Sequence, residues 1–160
     1  MIHYVGHFGD INALRCLIKF GFDLRRSDKF GQTIVHYAAR AGRLGILKVL
    51  TKYEHMEPEF DKRNIYGVPP ALYALTNQKI YSFIFLHLKV GCPLSEDLAK
   101  YAVKEIMKLE VPCMNLLTLL CQIGDLKKTM ALTILIEAIQ YGNMEALRVG
   151  LCFATLEILS

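Results

Sequence analysis

The chain has 160 residues, 53% of them hydrophobic, with a mean hydropathy of +0.29. That is about one ordinary domain, with enough apolar content for a sizeable core and too little charge for a disordered chain. The net charge of +4 is too diffuse to point to nucleic acid.

In chain order, IHYVGHF reads as a short helix broken at Gly9, and GDINALRC (Gly9 to Cys16) as a second helix, closed by the turn GFDL (Gly21 to Leu24). Arg25, Arg26 and Lys29 form the densest basic spot, read as a solvated loop. The turn DKFG (Asp28 to Gly31) precedes TIVHYAARAG (Thr33 to Gly42), in which Thr33 stands where a side-chain oxygen can cap a helix. RLGILKVL (Arg43 to Leu50) follows as a second helix. HMEPEFDKRN (His55 to Asn64) is a polar, Pro-containing link, and Glu54, Glu57, Glu59 and Asp61 cluster around it; it is read as a solvated loop. The turn NIYG (Asn64 to Gly67) opens another helix pair, broken at Gln78 and closed by GCPL (Gly91 to Leu94). IYSFIFLHLKVGC (Ile80 to Cys92) is the most apolar stretch, but it is short and interrupted by His87 and Lys89, so no membrane helix is expected. EDLAKYAVKEIMKLE (Glu96 to Glu110) carries Leu98, Ala102, Ile106 and Leu109 at helical spacing and ends before Pro112. NLLTLLCQ (Asn115 to Gln122) reads as a helix stopped at Gly124, where GDL (Gly124 to Leu126) forms a turn. TILIEAIQYG (Thr133 to Gly142) and a last helix ending in LCFATLEIL (Leu151 to Leu159) complete the chain.

These segments repeat. Shifting TIVHYAARAG by one hundred residues aligns Thr33, Ile34, Ala38 and Gly42 with Thr133, Ile134, Ala138 and Gly142. A shift back by 33 places His36 on His3, Tyr37 on Tyr4 and Gly42 on Gly9, with Leu47 and Leu50 over Leu14 and Leu17. A shift of 36 brings Gly31 to Gly67, Ala38 to Ala74, Leu47 to Phe83 and Leu50 to Leu86. Periods near 33 mark stacked helical units, none of which can bury its apolar face alone.

The stretch DKFGQTIVHYAARAG (Asp28 to Gly42) resembles the ankyrin repeat, with matches at Asp28, Gly31, Thr33, His36, Ala38, Ala39 and Gly42. Ile34 stands where that family has proline, and Leu72 and Ile136 replace its histidine. The resemblance implies an all-α, ankyrin-type helix-turn-helix solenoid of about five repeats with short β-turn or hairpin connections. As one domain over 1–160 it divides into a partial repeat 1–27, repeats 28–63 and 64–96, a degenerate helix pair 97–127 and a repeat 128–160. Ala38 and Ala39 then allow close helix approach, and Leu14, Leu47, Phe83 and Leu147 fill the layer between helices.

Chemical candidates are weighed against that scaffold. His36 sits where the family has a structural histidine tying adjacent units. His3 and His7 form H-x-x-x-H, but Asp10 is the nearest further donor, short of a zinc set. The cysteines (Cys16, Cys92, Cys113, Cys121 and Cys152) are odd in number and lack C-x-x-C, which favours free, mostly buried thiols in a reducing compartment. No G-x-S-x-G, Walker A or H-E-x-x-H occurs. The aromatics are expected at core positions, apart from Phe30 and Tyr66 in the turns. No catalytic residue, metal or cofactor is expected, nor nucleic-acid binding or membrane insertion, and the chain is expected to be intracellular and not an enzyme.

By resemblance, the function is protein–protein binding through turn tips and the concave face of the first helices. Those positions are His7 and Phe8; Lys29, Phe30, Gln32, Arg40 and Ala41; and Ile65, Tyr66, Val68, Thr76 and Asn77. Phe30, Tyr66 and Arg40 are the expected anchors, because aromatics and arginine dominate interface energetics. The first unit lacks its turn and the last helix lacks a polar cap, so the apolar C-terminal helix is expected to bury against a partner or an adjacent domain. The alternative is a substrate-selecting or structural segment of a larger enzyme or multi-subunit assembly.

Overall fold

The structure, a computed structural model, describes residues 1–109, 112–123 and 127–158. The described residues are helical, without strands, and fall into two compact units, Met1–Pro93 and Leu94–Ser160. Among them no helix is long and apolar enough to cross a membrane.

The N-terminal unit contains three antiparallel pairs: α1 (Ile2–Phe8) with α2 (Ile11–Lys19), α3 (Ile34–Ala41) with α4 (Leu44–Leu50), and α5 (Pro70–Thr76) with α6 (Ile80–Ile84). The first helices stack as α1–α3–α5 and the second as α2–α4–α6. A π-helical turn at Phe85–Lys89 extends α6. Between helices lie Leu14, Ile34, Leu47, Leu50, Leu72 and Phe83, all buried. Each first helix breaks at a left-handed residue: Gly9, Gly42 and, at the third break, Gln78 with φ 56°. A β-carbon on glutamine makes that conformation costlier than at glycine, so the position demands the backbone whatever residue occupies it. Small residues permit the stacking. A β-carbon on Gly6 would lie 2.8 Å from both the Cγ1 and the carbonyl oxygen of Ile34.

Asp10 caps α2, its carboxylate accepting from the Ala13 N–H at 2.9 Å, and Asn143 caps α10 (Met144–Ile158) in the same way through Ala146 N–H. This matches the sequence likeness of GDINALRC to GNMEALRV.

In the C-terminal unit α9 (Lys127–Tyr141) packs against α7 (Glu96–Met107), α8 (Met114–Gln122) and α10. Its core holds Ala102, Ile106, Leu116, Leu120, Ile134 and Ala138. The stretch expected as a degenerate helix pair holds α7 and α8. Glu110, Gly124, the GDL turn and Leu159 lie outside the described residues.

Three expectations are corrected. The link after α4 is not a solvated loop: Glu54–Phe60 forms a 3₁₀ helix that buries Met56 and Phe60, and Glu59 is buried with Lys62 Nζ 3.1 Å from both carboxylate oxygens. The two apolar side chains and the paired charge drive the segment inward. The thiols are not mostly buried: Cys92 and Cys121 are buried, Cys16 and Cys152 are exposed, and Cys113 lies between. Nor are the turn aromatics alone on the surface: Tyr4, Phe8, Phe20, Phe22, Tyr81 and Tyr101 are exposed as well.

Candidate interaction surface

The tip loops are built by one device, used twice. Asp28 Oδ1 accepts from the N–H groups of Phe30 and Gln32, both at 2.8 Å, while Asn64 Oδ1 accepts from Tyr66 and Val68, both at 3.0 Å. The backbone closes each loop, Asp28 N–H donating to the Gln32 carbonyl and Asn64 N–H to the Val68 carbonyl. Such side-chain acceptors hold a turn that the backbone alone would leave open. A tyrosine nine residues on braces each one. The Tyr37 hydroxyl donates to Asp28 Oδ2 at 2.8 Å, and Asn64 Nδ2 donates to the Tyr73 hydroxyl at 3.1 Å. Burial pushes the Asp28 carboxyl up, but hydrogen bonds from Gln32 N–H, the Tyr37 hydroxyl and Phe30 N–H outweigh it and hold the group below its ordinary value.

His36 locks one unit to the next. Its Nδ1 accepts from the Thr33 N–H at 3.1 Å, with the Thr33 hydroxyl also 3.1 Å away, and its Nε2 lies 3.3 Å from the Val68 carbonyl. A backbone N–H can only donate, so Nδ1 carries no proton and the Nε2 proton goes to Val68. The ring is fully buried, and burial pushes its pKa down to about 4. His36 is a neutral strut at neutral pH, as the repeat predicts. Thr33 stands at the N-cap of α3 in extended backbone.

The lock brings the tips together. Ile65 N–H donates to the Phe30 carbonyl at 3.1 Å, and the Phe30 and Tyr66 rings stack with centroids 6.3 Å apart and planes at 29°. Lys29 Nζ sits 5.0 Å from the Phe30 ring centre. Lys29, Phe30, Ile65 and Tyr66 thus form one exposed ridge, with Tyr66 65% exposed and Phe30 37%.

A depression of about 450 Å³ opens on α1 and α3, where His7, Phe8 and Arg40 meet His3, Tyr4 and Tyr37. Arg40 lies 5.8 Å from the Tyr37 ring centre, and Tyr4 stacks on Phe8 at 5.8 Å. Tyr37, which lines the groove, also braces Asp28 at the base of the tip loop and so links groove to ridge. Ala41, Thr76 and Asn77 lie at the C-terminal ends of α3 and α5, half-buried except for the exposed Asn77. Val68 is half-buried, its carbonyl taken by His36. Gln32 is not a surface position: it is 8% exposed, because the closed loop turns it inward.

Sequence reading missed Tyr4 and the bracing role of Tyr37. The Asp28/Tyr37 and Asn64/Tyr73 pairs, each nine residues apart, were the available signal.

Residues 2–51 match the family model described as ankyrin repeats (many copies). Among solved structures the chain is similar to the crystal structure of the human ASB11 ankyrin repeat domain, at 16% identity and a TM-score of 0.60, covering 95% of this chain and 82% of that one. At that identity the likeness concerns the fold. No curated protein matches. Residues 2–51 are thus similar in sequence to ankyrin repeats, and nearly the whole chain has the fold of an ankyrin-repeat domain.

Proposed function

We propose that this chain is an intracellular, non-catalytic scaffold that binds a partner protein through the Lys29–Phe30/Ile65–Tyr66 ridge and the groove holding His7, Phe8 and Arg40. Ankyrin repeats generally serve as protein-binding modules, which supports the class of function. The observation that carries the surface is the ridge: two exposed aromatics held in register by a backbone hydrogen bond between neighbouring units. A preordered aromatic pair loses little conformational freedom on binding, which is how hot spots gain affinity.

The test is selection of peptide ligands from a random display library by the immobilised chain, followed by affinity measurement on Phe30→Ala with Tyr66→Ala. The double variant should bind its ligands at least tenfold more weakly, on the order of a hot-spot loss. Unchanged affinity would remove the ridge from the account.

A second reading, a segment built into a larger assembly, is favoured by α9. Leu132, Ile136 and Ile139 lie along one face of that helix at 55%, 63% and 71% exposure. That apolar stripe, with the exposed Leu151 of α10, is where a partner or adjacent domain would cover the C-terminal helices.

A further inference from the structure

The charge of the chain is divided unevenly. Residues 1–93 carry 13 lysines and arginines against 7 aspartates and glutamates, a net +6, while residues 94–160 carry 6 against 8, a net −2. All the excess positive charge therefore lies in the unit that bears the ridge. Within that unit the acids nearest the tips are engaged, while Glu54 and Glu57 are exposed in the link after α4. Asp28 faces inward onto two N–H groups and a hydroxyl, Asp23 pairs with Arg25 at 3.3 Å, and Glu59 pairs with Lys62. Arg26, Lys29, Arg40 and Arg63 are exposed along the tips and groove, and no carboxylate pairs with them among the described residues. Arg63 is held in place, donating to the Gly67 carbonyl at 3.3 Å, and the Arg26 carbonyl lies 3.1 Å from His3 Nε2.

We propose that the ridge and groove of the N-terminal unit recognise an acidic protein segment, one whose carboxylates meet Lys29, Arg40 and Arg63 while an apolar side chain enters the groove beside Tyr4 and Phe8. This rests on the binding surface proposed above and adds the chemistry of its partner. Complementary charge steers encounter and fixes register, and apolar burial supplies retention. A single-stranded nucleic acid fits less well. Phe30 is already engaged by Tyr66 and by Lys29, which leaves little ring face for a base to stack on.

The test uses the intact chain and the sequences enriched from the random-peptide library. Enriched peptides should be net negative with an aromatic or leucine anchor. Their binding should weaken about tenfold between low and high salt. Lys29→Glu with Arg63→Glu should weaken it at least about tenfold, while Lys104→Glu in the C-terminal unit leaves it unchanged. Circular dichroism of each exposed-residue variant checks that it folds. Neutral or basic peptides that still depend on Phe30 and Tyr66 would overturn the acidic partner and leave the binding surface standing. An oligo-dT strand that outcompetes the peptides, and is itself lost on charge reversal, would overturn it in favour of nucleic acid. No enrichment, or enrichment indifferent to both pairs of substitutions, would overturn both proposals.

Discussion

His36 should make the fold acid-sensitive in a defined window. Burial pushes its pKa from the ordinary 6.5 down to about 4, while the unfolded chain keeps the ordinary value. Between those limits the unfolded state binds more protons than the folded one, so stability rises with pH across the window. The contribution is complete above pH 6.5 and is lost as pH falls to about 4. Each pKa unit corresponds to about 1.4 kcal/mol, so the loss is on the order of 3 kcal/mol. The ring has no exposed surface, so solvent screening does not discount it. Asp28, whose carboxyl is held below its ordinary 3.8, adds a loss of the same sign only below about pH 5, and because it is common to wild type and variant the difference between the two curves isolates His36. The assay is urea unfolding by circular dichroism from pH 7.5 to 4, on the wild type and on His36→Asn. Asparagine keeps an acceptor for the Thr33 N–H but loses the bond to Val68, costing about 1–3 kcal/mol at pH 7. The wild-type curve should fall steeply below pH 6.5 and converge on the flatter variant curve near pH 4. Parallel curves would refute the neutral strut.

Asp28→Ala should cost about 2–3 kcal/mol, since it removes the acceptor for two N–H groups and the Tyr37 hydroxyl; Tyr37→Phe should cost about 1 kcal/mol, and a double-mutant cycle on thermal unfolding should show the two coupled. Gly6→Ala should destabilise by about 1–3 kcal/mol, because the new carbon meets the Ile34 backbone at 2.8 Å; an unchanged melting temperature would mean that α1 and α3 sit further apart. Brief alkylation of the native chain with iodoacetamide, read by peptide mass spectrometry, should label Cys16 and Cys152 and spare Cys92 and Cys121. Burial pushes both buried thiols up to about 11, so little thiolate is present at neutral pH.

The legible parts of the fold were those where one residue type serves one backbone need. Gly9, Gly42 and Gly142 break helices because the chain there turns left-handed, and Gln78 takes the same conformation at the position where the shift of 36 places it. His36 was legible as a strut because its counterpart recurs one period away. The link was misread because charge count hides pairing: Glu59 and Lys62 neutralise each other, and Met56 and Phe60 then fold inward. The aromatics were misread as well. Helical spacing places Tyr4 and Phe8 on a face, and only stacking against α3 decides which face that is. Phe30 and Tyr66 could be placed at the tips from their turns, but their contact depends on the bond from Ile65 to Phe30, which spans two units.

The central claim is that binding occurs on the ridge and groove of the N-terminal unit. Its most direct test is amide chemical-shift mapping of the isotopically labelled chain, titrated with a peptide enriched by it from the display library. Perturbations should concentrate at Lys29, Phe30, Ile65, Tyr66 and the exposed positions of α1 and α3, including Phe8 and Arg40. Perturbations confined to α2, α4 and α6, or to the helices after Pro93, would contradict it.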